Sequence, residues 1–384
     1  MSGSTREEIE ARGHPVWAEI DLDALRHNIR TLDALAPRAE LMGVVKGYAY
    51  GHGNPASAEA MIEAGARRLG VARVAEALHL RAAGIEAPIH VFSEPPPAAA
   101  PSFVAEGLTA TVYTRSFAEA LSDAASAAGR RVPVHVKLDT GMHRVGLQGD
   151  DVPEAARYLR DLPGIEVEGA WSHLAVADTP GHPFNVQQLD LFLRLVADIE
   201  AQGIQLRYRH IANSAATLSF PEAHLDIVRC GIAAYGLWPG EDLVGTAPLR
   251  PVMALRARIS MVKTVPRGDA LSYGLSYEMP DTNRVVTVSA GYADGYDRRL
   301  SGRADVSIRG KRHRVSGTVC MDQFMVDVGE ADLEVGDVVT LLGSDDGDAI
   351  SAEELARLIG TINYEVATRI PSRVPRIYLS KEPG

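Results

Sequence analysis

From residue 38 to 236, short apolar runs alternate with longer segments of helical spacing. The runs lie at 41–46, 69–72, 89–92, 109–113, 132–138, 167–173, 208–212 and 227–231 and are rich in valine and isoleucine, the pattern of strands buried on both faces. The clearest helical stripe is Leu189, Phe192, Leu193, Val196 and Ile199, spaced i, i+3, i+4. Eight strand–helix units predict an α/β fold built on a (β/α)8 TIM-type barrel. A doubly wound sheet is the alternative, and the count of eight decides against it.

The texture changes after Pro239. Residues 255–262 alternate apolar and polar with period 2, and 285–289, 306–308 and 338–342 are short β-branched runs. Arg309-Gly310-Lys311 and Gly336-Asp337 punctuate them as turns. This predicts a mostly antiparallel β domain with one helix at 352–358. The expected organisation is an N-terminal extension at 1–16, a barrel at 17–245 and a β domain at 246–384. A strand expected at 17–20 is free to pair with either domain.

Composition narrows the chemistry. Net charge is −11 over 384 residues, which argues against nucleic acid or an anionic membrane surface as partner, since phosphate binding needs a basic footprint. No apolar stretch reaches the ~18 residues of a membrane span. The N-terminus lacks the apolar core of a signal peptide, so a cytoplasmic protein is expected. Cys230 and Cys320 read as two buried thiols, and no metal centre is expected.

In a parallel barrel, function gathers at the C-terminal ends of the strands. Lys46 closes the first strand, and a lysine sheltered there can lose its proton and add to an aldehyde. A surface lysine beside a turn is the plain alternative. Ser214 and the amides of Gly231 and Ile232 follow strands seven and eight, where barrels often hold phosphate. An aldehyde-binding lysine and a phosphate cradle on one face together suit pyridoxal phosphate.

The run VVKGYAYGHG at 44–53 resembles the cofactor-lysine signature of the alanine racemase family. The resemblance continues through KLDTGMHRVG at 137–146, WSHLAVAD at 171–178, HIANSAATL at 210–218 and VRCGIAAYG at 228–236. In the second domain it includes SYG at 272–274, GYADGY at 291–296, VCMDQFMVDV at 319–328, INYEVATRI at 362–370 and SRVPR at 372–376. One departure stands out: Gly47-Tyr48 occupies the place where the family usually has Ala-Asn, which touches the tuning of the pocket.

The resemblance implies pyridoxal 5'-phosphate held by Lys46 as a Schiff base, with Lys46 and Tyr273 as the two acid/base groups of a racemisation. It implies a phosphate shell of Tyr50, Ser214, Tyr364, Gly231 and Ile232, with His173 and Arg229 around the cofactor and Arg229 facing its pyridine nitrogen. Arg144 and the Met321 amide would hold the substrate carboxylate, and Asp322 and Tyr292 would complete the wall. Lys137 matches a lysine that many members carry as a carbamate. The family further implies a homodimer with composite active sites and D-alanine for peptidoglycan as product. A broader racemase acting on serine, a pyridoxal-phosphate decarboxylase and a non-catalytic cofactor-binding barrel are the competing readings. An arginine at the pyridine nitrogen speaks against decarboxylation, and a complete β domain with Tyr273 speaks against the last.

Overall fold

The computed structural model describes residues 9, 13–345 and 349–380. Most of the extension expected at 1–16 therefore lies outside the described residues. Strand β1 (Val16–Asp21) leads into helix α1 (Leu22–Leu35), whose first turn is capped by the Asp21 carboxylate accepting the Ala24 N–H at 2.8 Å.

The barrel strands follow: β2 (Glu40–Val44), β3 (Arg68–Val71), β4 (Ile89–Val91), β5 (Thr109–Val112), β6 (Val132–Lys137), β7 (Ile165–Trp171), β8 (Tyr208–His210) and β9 (Ile227–Cys230). Each falls on one of the eight apolar runs. All pair in parallel, in the order β8-β7-β6-β5-β4-β3-β2-β9. The seam between β8 and β9 is bridged by backbone bonds, Asp226 N–H to Arg209 O at 3.1 Å and Arg229 N–H to Ala212 O at 3.3 Å. The expected barrel is thus present and nearly closed.

Its helices are α2 (Asn54–Glu63), α3 (Val74–Ala82), α4 (Ala100–Glu106), α5 (Arg115–Ala127), α6 (Val152–Asp161), α7 (Pro183–Glu200) and α8 (Ser214–Ser219). After β9 the chain makes no α-helix but two short 3-10 turns, Ile232–Tyr235 and Glu241–Leu243. Helix α1 lies against that segment instead: the buried Asn28 amide donates to Ala234 O and Arg250 O and accepts the Arg250 N–H. In α7 the buried face is Leu189, Phe192, Leu195, Val196 and Ile199, while Leu193 is 40 % exposed. The stripe read from the sequence was one position off at Leu193, because 3.6 residues per turn carries the i+4 position toward the edge of the face.

The second sheet contains β10 (Met253–Val265), β13 (Asn283–Val288), β14 (Asp305–Ile308), β15 (Lys311–Arg314), β16 (Phe324–Gly329), β17 (Val338–Ser344), β18 (Ala349–Ile350) and β19 (Arg376–Leu379). A separate pair joins β11 (Ala270–Leu271) to β12 (Tyr277–Glu278), and helices α9 (Ala352–Ile359) and α10 (Asn363–Thr368) complete the fold. Pairing is antiparallel except between β1 and β19. The β14–β15 hairpin turns on Arg309-Gly310, both at positive φ, as a two-residue loop requires.

β1 belongs to this sheet. It pairs with β10 through Val16↔Ala257 and with β19 through Ala18↔Arg376, not with any barrel strand. Compact units divide accordingly: one takes in Leu25–Ala49 and Ser57–Arg250, the other the described residues up to Ala24, Tyr50–Ala56 and those from Pro251 on. The continuous span 17–245 drawn for the barrel differs from this division at its start, at Tyr50–Ala56 and at its end, since the unit runs on to Arg250. A six-residue strand carries its burial in its pattern but not the identity of its neighbours.

Candidate active site

Lys46 stands at the end of β2, where the backbone turns into a left-handed coil. Gly47, Tyr48, Ala49 and Tyr50 all have φ between 52° and 63°, and the Ala49 N–H still reaches Val45 O at 2.9 Å. Left-handed helix costs about 1–2 kcal/mol for each non-glycine residue, so something must hold it. Glu76, in the first turn of α3, does so within the barrel unit. Its carboxylate accepts the Gly47 N–H at 2.7 Å, the Ala72 N–H at 2.8 Å and the Arg73 N–H at 3.0 Å.

Lys46 is exposed as a residue, yet its amine is crowded by surrounding protein atoms. That desolvation lowers its pKa, Arg144 and Arg229 lower it further, and Glu76 opposes them. Lys137, at the end of β6, is buried, with Nζ donating to Leu138 O at 2.7 Å and lying 4.8 Å from the Trp171 ring centre. Burial, then Arg229, bring its pKa down to about 7, against the pull of Asp139. Asp139 accepts the Gly141 and His143 N–H groups and so shapes the loop bearing Arg144, which is exposed.

Arg229 is buried on β9. Nη2 donates to Ser172 O at 2.9 Å, Ile211 O at 3.0 Å and His173 Nδ1 at 3.2 Å, and Nη1 donates to His210 Nδ1 at 3.0 Å. Its Nε–H takes no partner among the described residues. Burial lowers its pKa to about 9, so it remains charged at neutral pH. His173 is pushed well below the usual histidine range by burial and by Arg229, Arg144, Lys46 and Lys137. Ser214 Oγ accepts the Gly231 N–H at 2.9 Å and the Ala233 N–H at 3.4 Å, which draws Ser214, Gly231 and Ile232 into one buried corner.

The other expected residues lie in the β unit. Tyr50 and Tyr364 approach with ring centres 6.2 Å apart. Tyr273 is 74 % exposed on a short turn, Tyr273–Leu275, flanked by Ser272 at φ 67°. Segment 318–321 ties the rest together: Thr318 Oγ1 donates to Tyr273 O at 3.0 Å, the Tyr292 N–H to Cys320 O at 3.1 Å and the Ala293 N–H to Met321 O at 3.0 Å. Arg373, from the SRVPR run, pairs with Asp322 at 2.8 Å and Asp294 at 2.7 Å. Cys230 is buried as expected, but Cys320, within this segment, is only half-buried; both thiols are free.

The family model for the alanine racemase N-terminal domain matches residues 20–239, and that for the C-terminal domain matches 252–378. The chain belongs to the alanine racemase family. The alanine racemase of Desulfovibrio desulfuricans is 45 % identical over 367 residues, 95 % of this chain and 98 % of that protein. That of Methanococcus maripaludis is 41 % identical over 370 residues, 95 % and 99 % of the two chains. Among solved structures, alanine racemase from the D-cycloserine producer Streptomyces lavendulae has a TM-score of 0.92 at 44 % identity, covering 96 % of this chain and 98 % of its own. Bacillus anthracis alanine racemase with bound L-Ala-P has a TM-score of 0.90 at 36 % identity, covering 96 % and 95 %.

Membership of the alanine racemase family makes the chain a pyridoxal-phosphate-dependent racemase, an isomerase. The donor set fits that cofactor: an amine with lowered pKa, a buried guanidinium with a spare N–H, and the Ser214 hydroxyl held at the corner of the Gly231 and Ala233 amides. Sequence reasoning on this racemase missed Glu76, Arg373, His135 and His210. Glu76 had a signal, a glutamate at the third helical position whose carboxylate returns to the helix start.

Proposed function

We propose that the protein interconverts L- and D-alanine with pyridoxal phosphate at the barrel mouth, Lys46 and Tyr273 moving the Cα proton. The observation that carries this reading is the charge of the mouth. Beyond burial, Arg229 and Arg144 lead the charges that depress the His173 imidazole, in a chain whose net charge is −11. Such a concentration of positive charge suits a phosphate and a substrate carboxylate together.

When bound, the cofactor withdraws electron density from the substrate's Cα and so makes its proton removable. Lys46 would hold the cofactor, and Ser214, Gly231, Ile232, Tyr50 and Tyr364 its phosphate. Arg229 would face the pyridine nitrogen and, staying protonated itself, would have no proton to give up to it. Arg144 and the Met321 amide bind the substrate carboxylate, with Tyr292 and Asp322 beside it. Inversion needs a proton taken from one face of Cα and another delivered to the opposite face. Lys46 Nζ serves one face and Tyr273 Oη the other. Lys137, with a pKa of about 7, offers at neutral pH the free amine that adds carbon dioxide, and a carbamate there would orient Arg144.

Tyr273 and Leu275 stand 74 % and 71 % exposed, which supports a homodimer in which the partner subunit's Tyr273 completes each site. No described helix is long and apolar enough to cross a membrane. Two free thiols suit a cytoplasmic enzyme supplying D-alanine for peptidoglycan. The test is Cα proton exchange in deuterated water over a panel of L- and D-amino acids including serine. Exchange with inversion is expected for alanine foremost; no exchange by protein loaded with pyridoxal phosphate would overturn the reading.

A further inference from the structure

Behind the mouth, a chain of hydrogen bonds runs through the barrel interior. His210 Nδ1 receives Arg229 Nη1–H at 3.0 Å, His210 Nε2 lies 2.8 Å from His135 Nδ1, and His135 Nε2 lies 3.1 Å from Glu168 Oε1. A guanidinium can only donate, so His210 Nδ1 must accept. His210 then carries its proton on Nε2 and donates it to His135 Nδ1. His135 in turn donates from Nε2 to the carboxylate. Protonating His135 would place a hydrogen on Nδ1 and force His210 to accept at both nitrogens, as an anion. One proton arrangement satisfies every contact, with both imidazoles neutral.

The charges agree with that order. Burial, foremost, and Arg229 push His210 far below the usual histidine range, and burial lowers His135 against the pull of Glu168. Burial works against the Glu168 charge, but the His135 hydrogen bond and Arg68 outweigh it and keep the carboxyl ionised. Arg68 lies 3.8 Å from Glu168 and 3.1 Å from Glu40, so two arginines and two carboxylates balance. Arg229 has no carboxylate within salt-bridge distance among the described residues. The packing holds the rings: Trp171 stacks on His210 at 5.8 Å and 5°, Tyr208 on His135 at 5.9 Å, and His90 meets His135 edge-on at 4.6 Å.

We propose that Glu168, His135 and His210 are positioning residues, a proton-ordered relay that gives Arg229 its distant counter-charge and fixes its orientation. It rests on the reading that Arg229 serves the pyridine nitrogen. The imidazole nitrogens of His90, His135 and His210 also lie close enough for a cation, within 4.8 Å of one another. The relay leaves His135 and His210 no lone pair to offer one, and Arg68 and Arg229 repel it.

The test has two arms. Nitrogen-15 NMR of the full chain without added cofactor, its histidines labelled, should find both imidazoles neutral with the proton on Nε2 across about pH 6 to 9. A doubly protonated ring, an Nδ1–H form, or zinc uptake by the three histidines would overturn the relay. In the loaded enzyme, Glu168→Gln keeps an acceptor oxygen for His135, removes the charge and replaces the other oxygen with an NH2. It should shift the cofactor's visible band and lower kcat about tenfold with KM little changed. An unaltered band and kcat would overturn the proposal. Wild-type protein that takes up no cofactor would instead defeat the functional reading, and the NMR arm would still decide the relay.

Discussion

The Glu76 carboxylate accepts the backbone N–H of Gly47 at 2.7 Å, one residue beyond Lys46. The same group binds two more amides and raises the Lys46 pKa against the surrounding cations. Glu76→Ala should therefore act twice. Freeing three amides, which water can partly reach, costs about 1–3 kcal/mol of stability. Losing the counter-charge lowers the Lys46 pKa further, so the amine of the cofactor-free protein should acylate faster at a given pH. Urea unfolding and the pH dependence of acylation measure the two effects. An acylation profile unchanged from wild type would remove Glu76 from the electrostatics of Lys46.

Tyr48 pays for the left-handed turn with a bulky side chain at φ 57°, next to a glycine at φ 63°. Asparagine tolerates this region far better. Tyr48→Asn should raise stability by about 1 kcal/mol, and Gly47→Ala should lower it by a similar amount. Paired thermal melts would check the signs. Stabilisation by Gly47→Ala would contradict the turn.

Lys137 predicts a pH dependence. Its pKa falls from 10.5 to about 7 on folding. Between those values the unfolded chain binds the proton that the folded chain has released, so stability rises as pH climbs from about 7 toward 10. Below pH 7 both states hold the proton and the cost of burying it is paid in full. Lys137→Met removes this contribution. The stability difference between wild type and variant should move in favour of wild type from pH 7 to 9, and a difference independent of pH would mean the amine is not buried as a base.

The sequence exposed the barrel because buried parallel strands need continuous apolar runs, and all eight appeared. It hid the partner of β1, which pairing decides and local pattern does not. It placed Lys46 by position, but the left-handed turn after it is a backbone conformation that only Gly47 hinted at. His135 and His210 went unread because a histidine inside a valine-rich strand looks like core. Their roles emerge only when the strands close and set a nitrogen of one ring 2.8 Å from a nitrogen of the other.

Gly169 is the cost of that closeness. It sits opposite His135 in the β6–β7 register, beside an irregularity at Val134/His135. A methyl group added there would lie 2.8 Å from His135 Nδ1 and 2.9 Å from two ring carbons. Gly169→Ala should destabilise the protein by about 1–3 kcal/mol through overpacking. It should also displace His135 from Glu168, which its imidazole nitrogen shifts would report. A variant as stable as wild type with unmoved shifts would mean the ring has slack that the barrel interior does not suggest.

Tyr273 carries the sharpest functional prediction. Lys46 Nζ and Tyr273 Oη are proposed to serve opposite faces of Cα, so each enantiomer presents its proton to only one of them. Tyr273→Phe keeps the ring and removes the proton carrier. It should suppress removal of the L-alanine proton far more than removal of the D-alanine proton. Lys46→Ala, which loses both the cofactor anchor and the other base, should abolish exchange from both enantiomers. Because Tyr273 is 74 % exposed and its hydroxyl has no partner within the described chain, the phenylalanine variant should fold as wild type does. Deuterium washout from each enantiomer, measured separately, distinguishes the cases. Equal losses for L- and D-alanine in Tyr273→Phe would mean that one group serves both faces, and the two-base assignment would fall.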